Sequence, residues 1–185
     1  MMLKCGELKM EIFLDIETTS LNADTGMIVA VGLCYEREKT IIHFVNSHEE
    51  EKNIIFNTFS EIAEKQVITF NGTRFDIPFL LTRGLKYDLI MPKVEIIDLY
   101  YWSARYLRLQ SRKFHDICTF YDISHEEISG REVNELFIRA LSGDKNAKDK
   151  IIRHLNQDIS AMISFYKKIK PLISIYPPPS DDPIR

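Results

Sequence analysis

Apolar and polar residues alternate along this chain with two different periods, and the change of period divides it. Residues 9–17 (KMEIFLDIE), 27–36 (MIVAVGLCYE) and 39–46 (KTIIHFVN) are short and rich in β-branched and aromatic side chains, which predicts three strands. They are joined by TTSLNADTG, a polar turn ending in Gly26, and by a charged turn over 36–39, connections short enough to make an antiparallel meander. From residue 47 the period becomes helical. In SHEEEKNIIFNTFSEIAEK, Ile54, Ile55, Phe59 and Ile62 share one face, with Ser47 as the N-cap and acids in the first turn. QVITF (66–70) reads as an inner strand, FDIPFLLTRGL (75–85) as a helix with proline in its first turn and Gly84 near its end. KVEIIDLYYWSARYL (93–107) reads as strand then helix, with Asp98 as the helix cap.

Beyond Arg112 the pattern is helical, closing with KNAKDKIIRHLNQDISAMISFYKKIK. The sum is an α/β domain over residues 1–170: a mixed five-stranded sheet, made of the three-stranded antiparallel meander plus two further strands, with helices on both faces. Residues 171–185, PLISIYPPPSDDPIR, are expected to form a Pro-rich tail, extended or disordered. No internal repeat is visible.

Composition narrows the classes. A chain of 185 residues, 45% hydrophobic and 28% charged, suits one globular domain. Cys5, Cys34 and Cys118 form no CxxC pair, so neither a disulfide framework nor a zinc knuckle is expected, in keeping with a reducing cytoplasm. Lys4, Glu7 and Lys9 interrupt the start before a signal-peptide core can form, and no run approaches the ~20 apolar residues of a membrane span. The expectation is a cytoplasmic protein without a membrane partner. A net charge of −3 argues against a general basic coat for nucleic acid. Arg105, Arg108, Arg112 and Lys113, with Tyr106 among them, are a local cluster, read either as a solvated helix face or as a phosphate track.

Three short stretches carry the candidate chemistry. In DIETTS, Asp15 and Glu17 are two apart on one strand face, and like charges so close need a proton or a cation between them. In FNGTRFDIPFL, Asp76 falls in the first turn of a helix, where the dipole favours its ionised form and a strand end can bring it beside Asp15. In HLNQD, His154 and Asp158 are four apart on a helix face adjoining the buried stripe of Ile152, Leu155, Ile159, Met162 and Tyr166. Alone, Asp76 reads as a cap and the His154, Asp158 pair as a surface pair.

Together and in this order, these stretches resemble the three motifs of the DEDD (DnaQ-like) 3′-to-5′ exonucleases on the ribonuclease H-like fold. The second resembles most the proofreading exonuclease domain of family B DNA polymerases, with Asn71 and Gly72 five and four residues before Asp76. The resemblance spans about residues 9–170 and implies that Asp15, Glu17, Asp76 and Asp158 bind two divalent cations, Mg²⁺ or Mn²⁺, as oxygen-only ligation suits. It further implies in-line hydrolysis of phosphodiester bonds at a single-stranded 3′ end, DNA or RNA, releasing nucleoside 5′-monophosphates.

His154 departs from the family. The polymerase exonucleases have tyrosine at its position, four before the last aspartate, and the histidine branch has histidine five before. A histidine so placed can still orient or deprotonate the attacking water. The resemblance also puts Thr18 and Thr19 against the terminal nucleotide, Leu21 as an apolar wedge between bases, and Asn71 and Phe75 on the opposite wall; an ordinary turn for 18–20 and simple core for Leu21 and Phe75 are the alternatives. His115 and Tyr121 read as structural. A structure-specific endonuclease on the same fold and a non-catalytic nucleic-acid-binding or scaffold module are the other functional readings. A proofreading or DNA-repair role would need a separate polymerase or repair partner, which nothing in the sequence identifies.

Overall fold

β1 (Glu11–Thr18), β2 (Ile28–Tyr35) and β3 (Ile41–Phe44) form the meander, followed by α1 (Glu51–Ile62), β4 (Gln66–Thr69), α2 (Asp76–Lys86), β5 (Glu95–Asp98), α3 (Leu99–Tyr106), α4 (Phe114–Phe120), α5 (Gly130–Leu141) and α6 (Lys145–Ile173). The computed structural model describes residues 10–35, 38–126 and 128–178; Cys5, turn residues 36–37 and residues 179–185 of the expected tail lie outside the described residues. The strand order is β3-β2-β1-β4-β5, with β1–β2 and β2–β3 antiparallel and β1–β4 and β4–β5 parallel. This is the expected ribonuclease H-like mixed sheet.

The period-two alternation of β1 feeds two cores. Ile12, Leu14 and Ile16 pack with the apolar faces of α1, α2, α5 and the first turns of α6. On the other face, Phe13 packs with Leu99 and Trp102 of α3, Ile117 of α4 and the stripe Ile159, Met162, Phe165 and Tyr166 of α6. Each such side chain stabilises the fold by about 1.5–3 kcal/mol on burial. Both faces of the central strand are thus committed, and its two acids must share the second face with α6.

Three local expectations change. Ser47 heads a 3₁₀ turn over His48–Glu50 without a side-chain capping bond, and α1 begins only at Glu51. Gly84 lies two residues before the end of α2, as expected, but not as its cap: an added Cβ would sit 2.8 Å from the Phe59 ring, so the glycine also serves the close approach of α1 and α2. The last helix runs on through Pro171 to Ile173, three residues into the expected tail. Proline costs one backbone bond there, but the segment that follows is held: Trp102 Nε1 donates to Tyr176 O at 2.8 Å and Tyr106 Oη to Pro177 O at 2.7 Å. These bonds draw the first part of the tail onto α3.

Candidate active site

Side chains at 11, 13, 15 and 17 project from one face of β1, and α6 lies along that face in the opposite direction. Glu11 accepts from Tyr166 Oη and Lys170 Nζ, both at 2.6 Å; Phe13 meets the Tyr166 ring edge-on at 5.5 Å; Glu17 Oε1 lies 3.4 Å from His154 Nε2. The lengths agree, since six strand residues rise about 20 Å and the twelve helix residues from 166 back to 154 rise about 18 Å. Close contact depends on Gly32, which pairs with Asp15 across β1 and β2. A Cβ there would come within 2.5 Å of Ile159 Cδ1 and 2.9 Å of Leu155 Cγ, so only glycine lets α6 bring Asp158 down to the sheet.

Asp76 arrives from the neighbouring strand. After β4 the chain turns through Asn71, whose φ is 61°, a conformation asparagine tolerates. Asp98, at the end of β5, fixes this turn: its Oδ1 accepts from Asn71 N at 2.8 Å and Tyr100 N at 3.0 Å, its Oδ2 from Thr73 N at 2.9 Å. It therefore caps α3, as its position in the sequence indicated, and also anchors the loop that delivers Asp76. Asp76 is the first residue of α2, directly after Phe75 at the N-cap. Its Oδ1 accepts from Ile16 N at 3.0 Å, between the two acids of β1.

The structure thus brings together Asp15, Glu17, Asp76 and Asp158 from β1, α2 and α6. Burial, then the charges of Asp76, Asp158 and Glu17, hold the Asp15 carboxyl well above its ordinary range. Burial, then Asp158 and Asp76, push Glu17 up to about 8. Asp76 rises to about 7, mainly through burial, opposed by its own backbone N–H and that of Ile16, with the charge of Asp98 adding to the rise. The helix dipole therefore does not keep Asp76 ionised on its own, because at 2% exposure the loss of hydration outweighs it.

Two imidazoles border the acids. His154 is buried, its Nε2 3.4 Å from Glu17 Oε1 and 3.3 Å from Asp158 Oδ2. Burial lowers its pKa below 6.5, against the pull of Asp158, so the ring is held neutral at pH 7. The second imidazole is His125, in the connection between α4 and α5, whose Nε2 stands 2.9 Å from Asp158 Oδ1. Sequence reasoning missed it: the residue lies outside all three acidic stretches, in a stretch that the pattern beyond Arg112 assigned to helix and the structure makes a connection between α4 and α5. His115, read as structural, is its neighbour, the two Nδ1 atoms 3.5 Å apart. Tyr121 packs on Phe165 in the second core.

The expected nucleotide contacts are placed unevenly. Thr18 is buried and its hydroxyl donates to Ser20 O at 2.8 Å. Thr19 closes the β1–β2 turn, its hydroxyl accepting from Met27 N and its own N–H donating to Met27 O, both at 3.0 Å. Leu21 is not core: it is 81% exposed at the tip of that turn. With Ala23, Arg74, Phe75, Pro78 and Phe79 it lines a groove of about 280 Å³ between the turn and the start of α2. Asn71 is not among the lining residues. The basic residues Arg105, Arg108, Arg112 and Lys113 are all exposed, the last three in the loop between α3 and α4 rather than on a helix.

Comparison with known proteins fits this arrangement. The family model described as RNase_H superfamily matches residues 12–170, from β1 to α6. The chain belongs to the RNase H superfamily. It is thereby a member of a superfamily of nuclease-type hydrolases that generally use divalent metals. The uncharacterised protein MJ0365 of Methanocaldococcus jannaschii is 30% identical over 168 residues, covering 83% of this chain and 92% of that protein. Among solved structures, the family B DNA polymerase of the hyperthermophilic archaeon Pyrobaculum calidifontis superposes with a TM-score of 0.74 at 13% identity, over 89% of this chain and 25% of the polymerase. The RNase H fold of this protein thus spans about a quarter of that polymerase.

The residues fit a divalent cation. Ligating atoms of Glu17, His154 and Asp158 all lie within 4.8 Å of one another. Asp158 Oδ1 and His154 Nδ1 are buried without a hydrogen-bond partner, and three of the four acids resist ionising together. A carboxylate-rich donor set suits hard ions of the Mg²⁺ and Mn²⁺ type. Among the described residues, no helix is long and apolar enough to cross a membrane.

Proposed function

We propose that this RNase H superfamily member is a metal-dependent 3′-to-5′ exonuclease that hydrolyses single-stranded DNA or RNA to nucleoside 5′-monophosphates. The observation that carries the reading is the convergence of four carboxylates from β1, α2 and α6, three of them with pKa values raised by burial, joined for Asp15 and Glu17 by the charges of the other acids. Asp15, Glu17, Asp76 and Asp158 would hold two divalent cations, Mg²⁺ or Mn²⁺. Such ions neutralise phosphate charge and polarise the phosphorus centre for in-line displacement by water.

The protein's own groups do the rest. His154, kept neutral by burial with Nε2 toward Glu17 and Asp158, accepts a proton from the attacking water. Leu21 and Phe75, facing across the groove, separate and stack the last bases. Thr18 and Thr19 contribute by holding the turn that carries Leu21, since their hydroxyls are engaged within it. The 13% identity to the polymerase speaks for the fold alone, so the choice of a 3′ end rests on the motifs and their resemblance.

The test is digestion of 5′-labelled single-stranded DNA and RNA with Mn²⁺ by wild type, Asp15→Ala and His154→Ala. Products shortening stepwise from the 3′ end, lost with Asp15→Ala, are expected. Failure to cut either strand, or activity that survives Asp15→Ala, would refute the reading.

A further inference from the structure

Asp15 and Glu17 sit on a central strand, and Asp76 is tied to Ile16 N, whereas Asp158 alone of the four acids projects from α6. What faces its carboxylate is a pair of imidazoles. His154 Nε2 lies 3.3 Å from Oδ2 and His125 Nε2 2.9 Å from Oδ1; apart from that contact, Oδ1 has no polar partner.

His125 is itself fixed. Its side chain is 6% exposed, and its ring meets Phe114 edge-on at 5.0 Å and His115 at 5.7 Å. Phe114 in turn packs on Phe70 at 4.4 Å, in the turn that leads from β4 to Asp76. A rigid aromatic series therefore runs from the Asp76 loop to His125 and ends on Asp158. From this geometry we propose that His125 is a positioning residue, which holds the Asp158 carboxylate in the orientation that accepts a divalent cation. The proposal rests on the metal-binding reading given above. An imidazole beside a ligand carboxylate orients it and prevents it from turning away, and losing such a partner commonly weakens metal binding about 10–100-fold.

Two variants separate this role from packing. His125→Phe keeps an aromatic ring against Phe114 and His115 but removes both nitrogens; His125→Gln keeps an N–H able to reach Oδ1 but removes the ring. Each full chain is titrated with MnCl₂ while its unfolding midpoint is followed, and kcat and KM are measured on single-stranded DNA. His125→Phe should need about tenfold more Mn²⁺ for half its stabilisation and should lose kcat with little change in KM, whereas His125→Gln should stay near wild type in Mn²⁺ demand. A packing role gives the reverse order, and that result, or equal Mn²⁺ demand in all three proteins, overturns the proposal. Should the phenylalanine variant fail to fold, His125→Leu takes its place with the same expectation. If wild type itself shows no Mn²⁺ response, the metal-site reading fails and the proposal falls with it; if wild type responds and His125→Phe responds equally, this proposal alone is overturned.

Discussion

Glu51 and the acid cluster both take carboxylates out of water, and they solve the problem in opposite ways. Glu51, at the start of α1, is 0% exposed. Its Oε1 accepts from Ile28 N and Arg83 Nε, both at 2.9 Å, and its Oε2 from Arg83 Nη2 at 2.5 Å and Tyr87 Oη at 2.6 Å. Burial pushes its pKa up, but Arg83, Tyr87 and Ile28 together outweigh burial and hold it below the ordinary range. At the acid cluster four carboxylates meet, their ion-pairing neighbours among the described residues are the imidazoles of His154 and His125 rather than Lys or Arg, and three of the four are raised. The first site carries its cation within the fold and is structural; the second holds no Lys or Arg counter-charge among the described residues, and under the proposed function a divalent cation would supply it. Burial of acids alone does not mark a functional site. Several acids gathered without an internal counter-charge make the stronger candidate.

The largest effect should come from breaking the self-sufficient site. Arg83→Met leaves Glu51 charged and buried, so unfolding free energy should fall by about 3–5 kcal/mol, with or without Mn²⁺, as read by urea denaturation. Next, Gly32→Ala forces Ile159 and Leu155 away from the sheet. It should cost about 1–3 kcal/mol and also raise the Mn²⁺ needed for stabilisation, because Asp158 moves with α6.

The pH dependence separates the two sites by sign. Asp76 and Glu17 are raised from 3.8 and 4.5 to about 7 and 8, so without divalent ions their contribution to stability is complete below the unfolded values and is lost as pH rises through 7 to 8. Glu51 is held below 4.5, so its contribution is present above that value and is lost as pH falls through the lower folded value. Unfolding midpoints of metal-free protein from pH 4 to 9 should therefore decline toward the alkaline side, and Mn²⁺ should flatten the decline.

Some of this was legible in the sequence. Alternation along residues 11–17 put Asp15 and Glu17 on one strand face, and the spacing of Ile159, Met162 and Tyr166 put His154 and Asp158 at the edge of the face that meets it. The order of strands and helices was enough for the sheet. Glu51 looked like one of three acids in a helix start, because its partners Arg83 and Tyr87 are over thirty residues away on another helix. His125 was invisible for the same reason: only the fold brings its loop against α6, and no local pattern records that. Pro171 misled in the other direction, since a helix stop in isolation became one turn of helix plus a docked segment once α3 offered donors to the carbonyls of Tyr176 and Pro177.

The most direct test of the contrast is the unfolding midpoint of wild type and Asp15→Asn at pH 7.5, each with and without Mn²⁺. Replacing one of the clustered carboxyls should stabilise the metal-free protein by about 1–2 kcal/mol, less than the roughly 3–4 kcal/mol of a bare like-charge contact 4–6 Å apart at an effective dielectric near 20, because Glu17 and Asp76 are partly protonated at this pH. Mn²⁺ should then raise wild type more than the variant and reverse their order. An Asp15→Asn protein that is less stable without metal, together with a wild type that Mn²⁺ leaves unchanged, would contradict the claim that this cluster is built to receive a divalent cation.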